Sequence, residues 1–525
     1  MYTLFKNCHI HTLNPKQPYA TALMVAGRQI VFCGEEKDIN IADYLVEKTN
    51  LQGLHIYPSF TDCHTHVAAV ALGKERIRLD GCGSLAEAIN TISDYVINTD
   101  VDSWVLGSGW NANRWKDGFP HRKYLDNISM DLPIALYNKD GHTQWLNSRA
   151  LALVGFDPHA TDPPGGKLGR DSDNTLNGLV YEKACDIVNT YSEKNSYELL
   201  KRCMDKLCPE LFSLGITSVH SCESMEIWSM FQQMALRKEL NLRICMHPPV
   251  EDAGKFIESG ICSGFGDEWL RMGGLKYFVD GSLGSQTAEM FENYNGLDHG
   301  GIEVLTEAGL TELLKETVEK GFSATVHAIG DKSNHKTLNA LQQVRGLSRE
   351  FGLRHRIEHA QIVKSDDIQR FADQGVIASM QPLHISDDVK LSDKYLGDRT
   401  SNAYRVGSLL DSGARVVFGS DMPIADPNPL KGILAAHSRR YLLDKNEPRW
   451  NESECISISQ ALRCYTSEAA YASYEEDLKG TLEAGKLADF IALPIDVETA
   501  NEDILREARV NLTILSGEVV FQENS

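Results

Sequence analysis

The sequence predicts an α/β protein built on a (β/α)₈ barrel, with a small β-sandwich formed from both chain ends. Three observations carry this prediction: eight short apolar runs ending in polar residues, helix-like stretches between several of them, and hairpin patterns at the two termini. Strands buried on both faces are nearly continuously apolar, as these runs are. Because a barrel takes roughly 200–250 residues or more, the 525 residues leave room for a second, smaller domain.

The eight runs follow one another along the chain, and from the second onward their spacing suits one strand and one helix each. Two intervening stretches, 310–321 and 365–375, are polar and amphipathic. The second is predicted to be a helix with Ser365 as its N-cap and Gly375 as its stop. The predicted barrel strands lie in the runs 55–66, 215–222, 242–249, 273–282, 322–331, 355–361, 375–384 and 414–421.

Residues from about 67 to 200 are too many for one helical connection and contain strand-like runs of their own at 104–110 and 133–142. We expect them to form an excursion after the first barrel strand, able to cover the barrel mouth. The predicted domains are therefore the first part of the sandwich, the barrel with this insertion, and the second part of the sandwich, at 1–57, 58–478 and 479–525.

Both chain ends carry β-hairpin patterns. In 21–34 a Gly-Arg pair separates two apolar runs, and in 512–522 a Ser-Gly pair does the same. A further apolar run occupies 487–494. Two sheet fragments at opposite ends of the chain predict one composite sandwich beside the barrel.

The composition argues against two classes of binding partner. A formal charge of −21 and a pI near 5.3 argue against nucleic acid or an anionic membrane surface as the main partner. The first twenty residues lack a basic segment followed by an apolar run, and no apolar stretch is long enough to span a membrane. The twelve cysteines are scattered without a Cys-x-x-Cys pair, as in reduced proteins. We expect a cytoplasmic protein with a small-molecule substrate, and a homo-oligomer remains open.

The strongest local signal is the pair His64 and His66 at the end of the first apolar run. On a strand, residues two apart point the same way, so these two imidazoles face one centre. Imidazole nitrogen is a ligand for Zn, Fe, Ni or Mn. A second such pair, His9 and His11, lies outside the barrel pattern and has no acidic residue after it, so a structural role is favoured there.

Polar residues at later strand ends support a metal site at the first strand. His327, His359 and Asp421 close three other runs. Active-site residues of (β/α)₈ enzymes come from the C-terminal ends of different strands. Their convergence with the first pair predicts a metal centre of one or two ions.

Longer motifs carry a family resemblance. They include PSFTDCHTH, DGHTQWLNSRAL, LKYFVDGSLGSQTA, VHAIGD, RIEHAQ, FGSDMP and GTLEAGKLADFIAL. Through them the sequence resembles the amidohydrolase superfamily over nearly its whole length, in particular its N-substituted formamide deformylase-like branch. The resemblance implies a metal-dependent hydrolase of carbon–nitrogen bonds other than peptide bonds, with one or two divalent ions and zinc as the first choice. The metal ligands that it implies are His64, His66, Lys276, His327, His359 and Asp421.

Two of these ligands have further implied roles. Asp421 matches the family's aspartate that shuttles the proton between attacking water and leaving group. Lys276 falls where many relatives carry a carboxylated lysine bridging two metals. The alternative for Lys276 is an ordinary lysine paired with Asp280.

The sequence offers further candidate site residues with weaker support. His142, in the excursion, and His384, after the seventh run, are predicted to bind substrate, although a structural role for His142 is equally open. Asp331 could orient His327, while Glu358 is expected to form a structural ion pair rather than face the site. Two tryptophans, Trp110 and Trp115, could line a substrate wall, but buried tryptophan more often belongs to a core.

Other functions remain open from the sequence. A deaminase or cyclic-amide hydrolase would use the same metal site, and a non-catalytic relative could serve as a regulator. The complete ligand set favours catalysis. An oxidoreductase is disfavoured because no Gly-x-Gly-x-x-Gly pattern follows a strand.

Overall fold

The computed structural model describes residues 2–39, 45–98, 104–112, 115–116, 118–139, 143–158, 160–192 and 197–523. The chain divides into two compact units. The larger comprises Met1–Ala68 and Asp205–Ser525, and the smaller comprises Ala69–Met204. Among the described residues, none of the helices combines the length and the apolar character that a membrane crossing requires.

The β structure of the described residues consists of short strands. In chain order they are β1 (Tyr2–Lys6), β2 (His9–His11), β3 (Tyr19–Ala20), β4 (Ala22–Ala26), β5 (Gln29–Gly34), β6 (Val46–Asn50), β7 (His55–Pro58), β8 (Phe60–Thr65), β9 (Ile77–Arg78), β10 (Val105–Trp110), β11 (Ile134–Asn138), β12 (Thr143–Leu146), β13 (Gly166–Arg170), β14 (Leu176–Glu182), β15 (Ile216–Ser221), β16 (Arg243–Met246), β17 (Leu270–Met272), β18 (Gly274–Phe278), β19 (Ser323–Ala328), β20 (Arg356–His359), β21 (Ile377–Met380), β22 (Val416–Phe418), β23 (Phe490–Leu493), β24 (Leu512–Leu515) and β25 (Glu518–Gln522).

The α-helices alternate with many of these strands. They are α1 (Val67–Gly73), α2 (Leu85–Asn98), α3 (Arg122–Asp126), α4 (Ser148–Leu153), α5 (Lys183–Ser192), α6 (Tyr197–Ser213), α7 (Met225–Leu236), α8 (Ala253–Glu258), α9 (Glu307–Val318), α10 (Asp331–Glu350), α11 (Ser365–Gln374), α12 (Pro382–Leu396), α13 (Val406–Asp411), α14 (Pro429–Ser438), α15 (Ile458–Cys464), α16 (Ser467–Ala472) and α17 (Glu502–Glu507).

Two parallel sheets form the centre of the larger unit. One has the order β8-β15-β16-β17 and the other β18-β19-β20-β21-β22. Each of the eight predicted runs contains one strand of these sheets, and β17 is an additional short strand. Every residue of β8, β15, β16, β20, β21 and β22 is buried, which explains why the runs are apolar rather than alternating.

Backbone hydrogen bonds join the two parallel sheets at both edges. At one edge the Lys276 N–H donates to the Pro248 carbonyl over 2.7 Å. At the other, the Asp421 N–H donates to the His64 carbonyl over 2.7 Å. The first bond joins the third and fourth predicted runs, and the second places the first and last runs beside each other.

The helix predicted at 365–375 forms as α11, with one difference at its start. Lys364 has the extended backbone of the N-cap, and Ser365 is the first helical residue. The serine is therefore one position inside the helix and supplies no N-cap. The predicted stop is confirmed: Gly375 ends the helix at φ 73°, a left-handed conformation that glycine adopts without steric cost.

The two chain ends pair with each other. Strand β23 from the C-terminal end runs antiparallel to β7 from the N-terminal end, with Ile491 opposite Tyr57. Their sheet has the order β25-β24-β23-β7-β2-β3, and a second sheet has the order β5-β4-β1-β6. One hydrophobic cluster contains residues from both sheets, among them Phe5 and Phe490, whose rings meet edge-to-face at 5.0 Å. The predicted hairpins form as β4–β5 and β24–β25.

The smaller unit has its own sheet, of order β13-β14-β12-β11-β10-β9. Its strands β10 and β11 lie in the two runs predicted for the excursion. Trp110, Trp115 and Trp145 are buried together, with ring centroids 6.3–6.5 Å apart. Both tryptophans considered for a substrate wall are thus part of a hydrophobic core.

Candidate metal centre

A cavity of about 500 Å³ opens where the parallel strands end. Seven of the predicted site residues line it together, although they come from five different strands and from helix α12. They are His64, His66, Lys276, His327, His359, His384 and Asp421. The eighth, His142, lies outside the described residues.

The Asp421 carboxylate is the point on which the histidines converge. Its Oδ1 atom lies 3.4 Å from Nε2 of His64 and 3.5 Å from Nε2 of His66. One donor atom from each of His64, His359 and Asp421 lies within 4.8 Å of the other two. This spacing suits three ligands of a single cation.

The other ring nitrogen of His64 is held by a buried carboxylate. His64 Nδ1 hydrogen-bonds Glu358, and Glu358 also forms an ion pair with Arg356. Burial alone would raise the pKa of Glu358, but the charges of Arg356 and His64 hold it well below its ordinary value. Because an ionised carboxylate only accepts hydrogen bonds, the proton of His64 sits on Nδ1. The lone pair of Nε2 is left facing Asp421.

His66 and His359 repeat this arrangement with neutral acceptors. His66 Nδ1 lies 3.3 Å from the Cys222 carbonyl oxygen, and His359 Nδ1 lies 2.8 Å from Oε1 of Gln381. Burial, followed by the nearby His327, lowers the pKa of His359 well below its ordinary value. A neutral imidazole with its Nδ1–H engaged is the form in which histidine binds metals through Nε2.

The backbone at two of these residues is in an uncommon conformation. His359 has φ 70° and Asp421 has φ 59°, both in the left-handed region. Residues other than glycine adopt this region at a cost, and such residues cluster at functional sites. Both lie just where a strand ends, so the backbone turns there and the alternation of the strand no longer sets the side-chain direction.

The electrostatics of Asp421 favour its ionised form. Burial raises its pKa, but the adjacent His64, His66 and His359 imidazoles outweigh that effect, so its pKa lies below the ordinary value. The segment is fixed by Asp62, which accepts hydrogen bonds from the Ser420 N–H over 2.9 Å and the Ser420 hydroxyl over 2.5 Å. Asp421 is therefore an ionised carboxylate that its hydrogen-bonded neighbours hold in one place.

His327 has a different partner from the one expected. Its Nδ1 atom lies 3.3 Å from Oδ1 of Asp280, while Asp331 accepts a hydrogen bond from the Phe291 N–H. Asp280 also accepts bonds from the Gly330 N–H and the Ser333 hydroxyl. Asp331 is the first residue of α10, and its carboxylate binds the backbone of an earlier loop at Phe291. The carboxylate beside His327 is thus Asp280 rather than Asp331.

Lys276 lies in the cavity wall and is 3% exposed. Its amine is 5.1 Å from the centre of the Phe278 ring. Among the residues that the structure describes, no carboxylate forms an ion pair with this amine. Asp280, considered as its partner from the sequence, is instead engaged by backbone N–H groups and His327.

His384, Asp387 and Asp388 of helix α12 also line the cavity. The His384 ring is parallel to that of His359, with centroids 6.4 Å apart. Its Nε2 atom is buried and has no hydrogen-bond partner within the described ranges. Asp388 accepts hydrogen bonds from Tyr404 and Gln361, whereas burial raises the pKa of Asp387.

The donor set fits a divalent transition metal. Imidazole nitrogens and a carboxylate are the usual ligands of such ions, and the outer nitrogen of each ligand histidine is normally held by a hydrogen-bond acceptor. Three histidines here meet that condition. The ion pair expected for Glu358 forms with Arg356. The sequence did not predict that Glu358 also binds His64, or that Gln381 binds His359.

Comparison with known proteins agrees with this geometry. Residues 47–521 match the model of the amidohydrolase family. The chain is 31% identical over 508 residues to the Arabidopsis thaliana protein LONG AFTER FAR-RED 3, covering 93% of this chain and 86% of that protein. It is 26% identical to an N-substituted formamide deformylase from Arthrobacter pascens, covering 98% and 97%. A crystal structure of an uncharacterised metal-dependent hydrolase from Pyrococcus furiosus superposes with a TM-score of 0.79 at 26% identity, covering 95% and 100%. The chain belongs to the amidohydrolase family, as the resemblance of its motifs predicted.

Proposed function

We propose that this protein is a metal-dependent hydrolase of carbon–nitrogen bonds in non-peptide amides. The observation that carries the proposal is the convergence of His64 Nε2 and His66 Nε2 on one oxygen of Asp421, at 3.4 and 3.5 Å. Family membership supports hydrolysis, and the solved metal-dependent hydrolase that shares the fold supports a divalent ion.

The architecture that holds the site is proposed to be a closed (β/α)₈ barrel. Hydrogen bonds at both edges of the two parallel sheets support closure. In a closed barrel all eight strand ends surround one cavity, which accounts for the meeting of residues distant in sequence. The paired sheets of the chain ends support a composite sandwich, and the domain limits remain 1–57, 58–478 and 479–525.

The proposed metal ligands all line the same cavity. A bound divalent ion would supply a water nucleophile at neutral pH and polarise the substrate carbonyl. Zinc is the first choice because it accepts imidazole and carboxylate ligands in open catalytic sites. The residues proposed to hold one or two ions are His64, His66, Lys276, His327, His359 and Asp421.

Lys276 is proposed to carry a carboxyl group on its amine. A lysine amine must be neutral to capture CO₂, and the resulting carbamate is an anion that can bind metal. Two observations support the proposal: the residue is buried in the wall of the cavity, and no described carboxylate neutralises it. The carbamate would add an anionic group among the histidines and permit a second ion.

Asp421 is proposed to move the proton. As a carboxylate held beside His64 and His66, it can accept a proton from the attacking water. It can then pass that proton to the departing nitrogen, which leaves as an amine. Its hydrogen-bonded backbone fixes the carboxylate at the cavity floor, where both transfers occur without rearrangement.

The bond type rests on the relative from Arthrobacter pascens, whose name states an N-substituted formamide as its substrate. His384 is proposed to contact substrate, because its buried Nε2 faces no described partner and it lines the cavity. His142 stays a proposed substrate contact on the sequence alone. The alternatives are a deaminase or cyclic-amide hydrolase with the same centre, or a regulatory relative without catalysis.

A substrate screen with defined metal content tests the proposal. Metal-loaded protein is assayed against N-formyl amines, N-acyl amines, cyclic amides and amino-substituted heterocycles, with D421N as the matched inactive control. Release of amine and acid from an acyclic amide, absent in D421N, is the expected result. Ammonia release from heterocycles or ring opening would favour the alternatives, and metal binding without turnover of any class would favour a regulator.

A further inference from the structure

A second group of potential metal ligands lies in the composite sheet of the chain ends. His11 in β2, His55 in β7 and Asp496 after β23 each offer one donor atom, and these atoms lie within 4.8 Å of one another. The closest two are His11 Nε2 and His55 Nδ1, which are 3.0 Å apart. His11 Nε2 is also 3.9 Å from Oδ1 of Asp496.

Strand pairing explains why the three residues meet. Strand β2 runs parallel to β7, with Ile10 opposite Ile56, so His11 and His55 are near neighbours on adjacent strands. Strand β23 runs antiparallel to β7, with Leu493 opposite His55. The chain leaving β23 therefore passes beside His55 and brings Asp496 to the two imidazoles.

The surrounding contacts hold the donors in position. The Tyr57 hydroxyl donates to Oδ1 of Asp496 over 2.9 Å, and the Tyr57 ring stacks on that of His11 at 4.3 Å. His11 Nδ1 lies 3.1 Å from Oε2 of Glu498. This carboxylate–histidine contact is the one that orients metal-binding histidines and leaves the opposite nitrogen free to bind.

The short contact between His11 Nε2 and His55 Nδ1 has two possible explanations. With Glu498 accepting the proton of His11 Nδ1, the lone pair of His11 Nε2 is directed at His55 Nδ1. Either a single proton lies between these nitrogens, or a cation accepts a lone pair from each. The nearby Asp496 carboxylate favours a cation. A metal ion would use its oxygen as a third ligand, whereas a proton shared by two imidazoles requires no carboxylate. His55 and Asp496 are partly exposed, so an ion can enter from solvent.

We propose that His11 Nε2, His55 Nδ1 and Asp496 bind one divalent transition-metal ion of the zinc class, separate from the catalytic centre. Two imidazoles and a carboxylate are suitable ligands for such an ion, with water completing the coordination. The ion would connect β2 and β7 from the N-terminal end with the segment after β23. Its role is structural: it ties the two chain ends together and raises the stability of the sheet.

The sequence alone favoured a structural role for both His9 and His11. The structure separates them, because His9 is exposed and lies outside the ligand group, whereas His11 is buried. The His9 ring still stacks on that of His55 at 4.8 Å. His9 is therefore a matched control: it touches the same imidazole but is not a proposed ligand.

Zinc binding to the full-length protein tests the proposal. Equilibrium dialysis with elemental analysis is run on wild type, H55Q, D496N and H9Q, with folding checked by circular dichroism. Wild type and H9Q should bind one zinc equivalent more than H55Q. D496N should lose that equivalent or bind it at least about 10-fold more weakly. Zinc stoichiometry and affinity in H55Q and D496N equal to those of wild type would overturn the proposal.

A stability measurement keeps the test independent of the catalytic centre. Zinc should raise the thermal midpoint of wild type and H9Q by more than that of H55Q or D496N, since an ion bound only to the folded state stabilises it. D421N, altered at the catalytic centre, should keep this extra shift. An identical zinc-induced shift in all sandwich variants would contradict the proposal and leave the shared proton as the explanation.

Discussion

Nε2 of His64 lies 3.4 Å from Oδ1 of Asp421, and the Asp421 N–H donates to the His64 carbonyl over 2.7 Å. Backbone and side chain of the two residues are thus fixed together at the joint between the first and last strands of the parallel sheets. The relationship positions a histidine lone pair and a carboxylate for the same cation.

Replacing Asp421 by asparagine should abolish the proton transfer while keeping the shape of the site. The amide can still offer an oxygen to a metal but cannot accept the proton. General acid–base groups contribute about 10²–10⁴-fold, so kcat should fall by at least that factor. Steady-state kinetics with metal content measured in parallel checks the prediction. Near-normal turnover at full metal content would remove Asp421 from the proton path.

Removing the acceptor behind a ligand histidine should weaken metal binding without touching a ligand. Q381M deletes the Oε1 acceptor of His359 Nδ1, a bond of 2.8 Å. Loss of such partners costs about 10–100-fold in metal affinity. Competition with a metal chelator measures the affinity, and N339A, in α10 but outside the cavity lining, serves as control. Unchanged affinity in Q381M would show that His359 needs no such support.

The corresponding change at Glu358 should have a second effect. E358Q weakens the hold on His64 and also leaves Arg356 buried without its ion-pair partner. Breaking a buried ion pair from one side costs about 3–5 kcal/mol. Metal affinity and the free energy of unfolding should therefore both fall, whereas Q381M should lower mainly the former. Chemical denaturation of the two variants distinguishes them, and equal stability would contradict the assigned ion pair.

Stability should fall on acidification, partly through His355. Burial lowers the pKa of this histidine to about 4. Its Nδ1 accepts the Ala324 N–H over 2.9 Å and its Nε2 lies 2.7 Å from the Ser348 hydroxyl, so protonation would break the first bond. Below the ordinary value of 6.5 the unfolded chain binds the proton and the native state does not. Stability is therefore lost as the pH falls from 6.5 towards 4, by at most about 1.36 kcal/mol per pH unit.

The variant H355N removes this titration. Its amide oxygen can still accept the Ala324 N–H. Thermal midpoints measured between neutral pH and pH 5 should fall less steeply for H355N than for wild type. Identical slopes for the two proteins would mean that the buried histidine does not contribute to the acid sensitivity.

Deleting either chain end should prevent folding. Strand β23 is wholly buried and pairs with β7 across Phe490–Pro58 and Ile491–Tyr57. Removing 479–525 would leave the backbone groups of β7 that pair with β23 unbonded and would expose the hydrophobic cluster around Phe5. A protein trimmed to residues 58–478 should be insoluble or unfolded, as judged by expression and circular dichroism. A soluble, active trimmed protein would contradict the composite domain.

The strand ends could be predicted because a short stretch of sequence is enough to identify each one. An apolar run that closes on histidine or aspartate identifies both the strand and the point where it ends, and parallel strands bring their ends to one edge. The sequence alone therefore predicts His64, His66, His327, His359 and Asp421 as site residues. All five line the same cavity.

The partners of these ligands could not be predicted in the same way. Glu358 precedes His359, and strand alternation directs it away from its neighbour's face. The left-handed backbone of His359, φ 70°, breaks that alternation, while Glu358 and Arg356 stay on one face of β20. Which carboxylate reaches which imidazole depends on the register between strands. That register depends on tertiary packing, which the local pattern does not encode.

The central claim, that this cavity holds a catalytic divalent metal, is tested most directly by anomalous X-ray scattering from crystals of zinc-loaded protein. Data collected above and below the zinc absorption edge locate the ion without assumptions about mechanism. We expect a strong anomalous peak between His64, His359 and Asp421, with a second one nearby if Lys276 is carboxylated. A fully zinc-loaded crystal with no anomalous peak among these residues would contradict it.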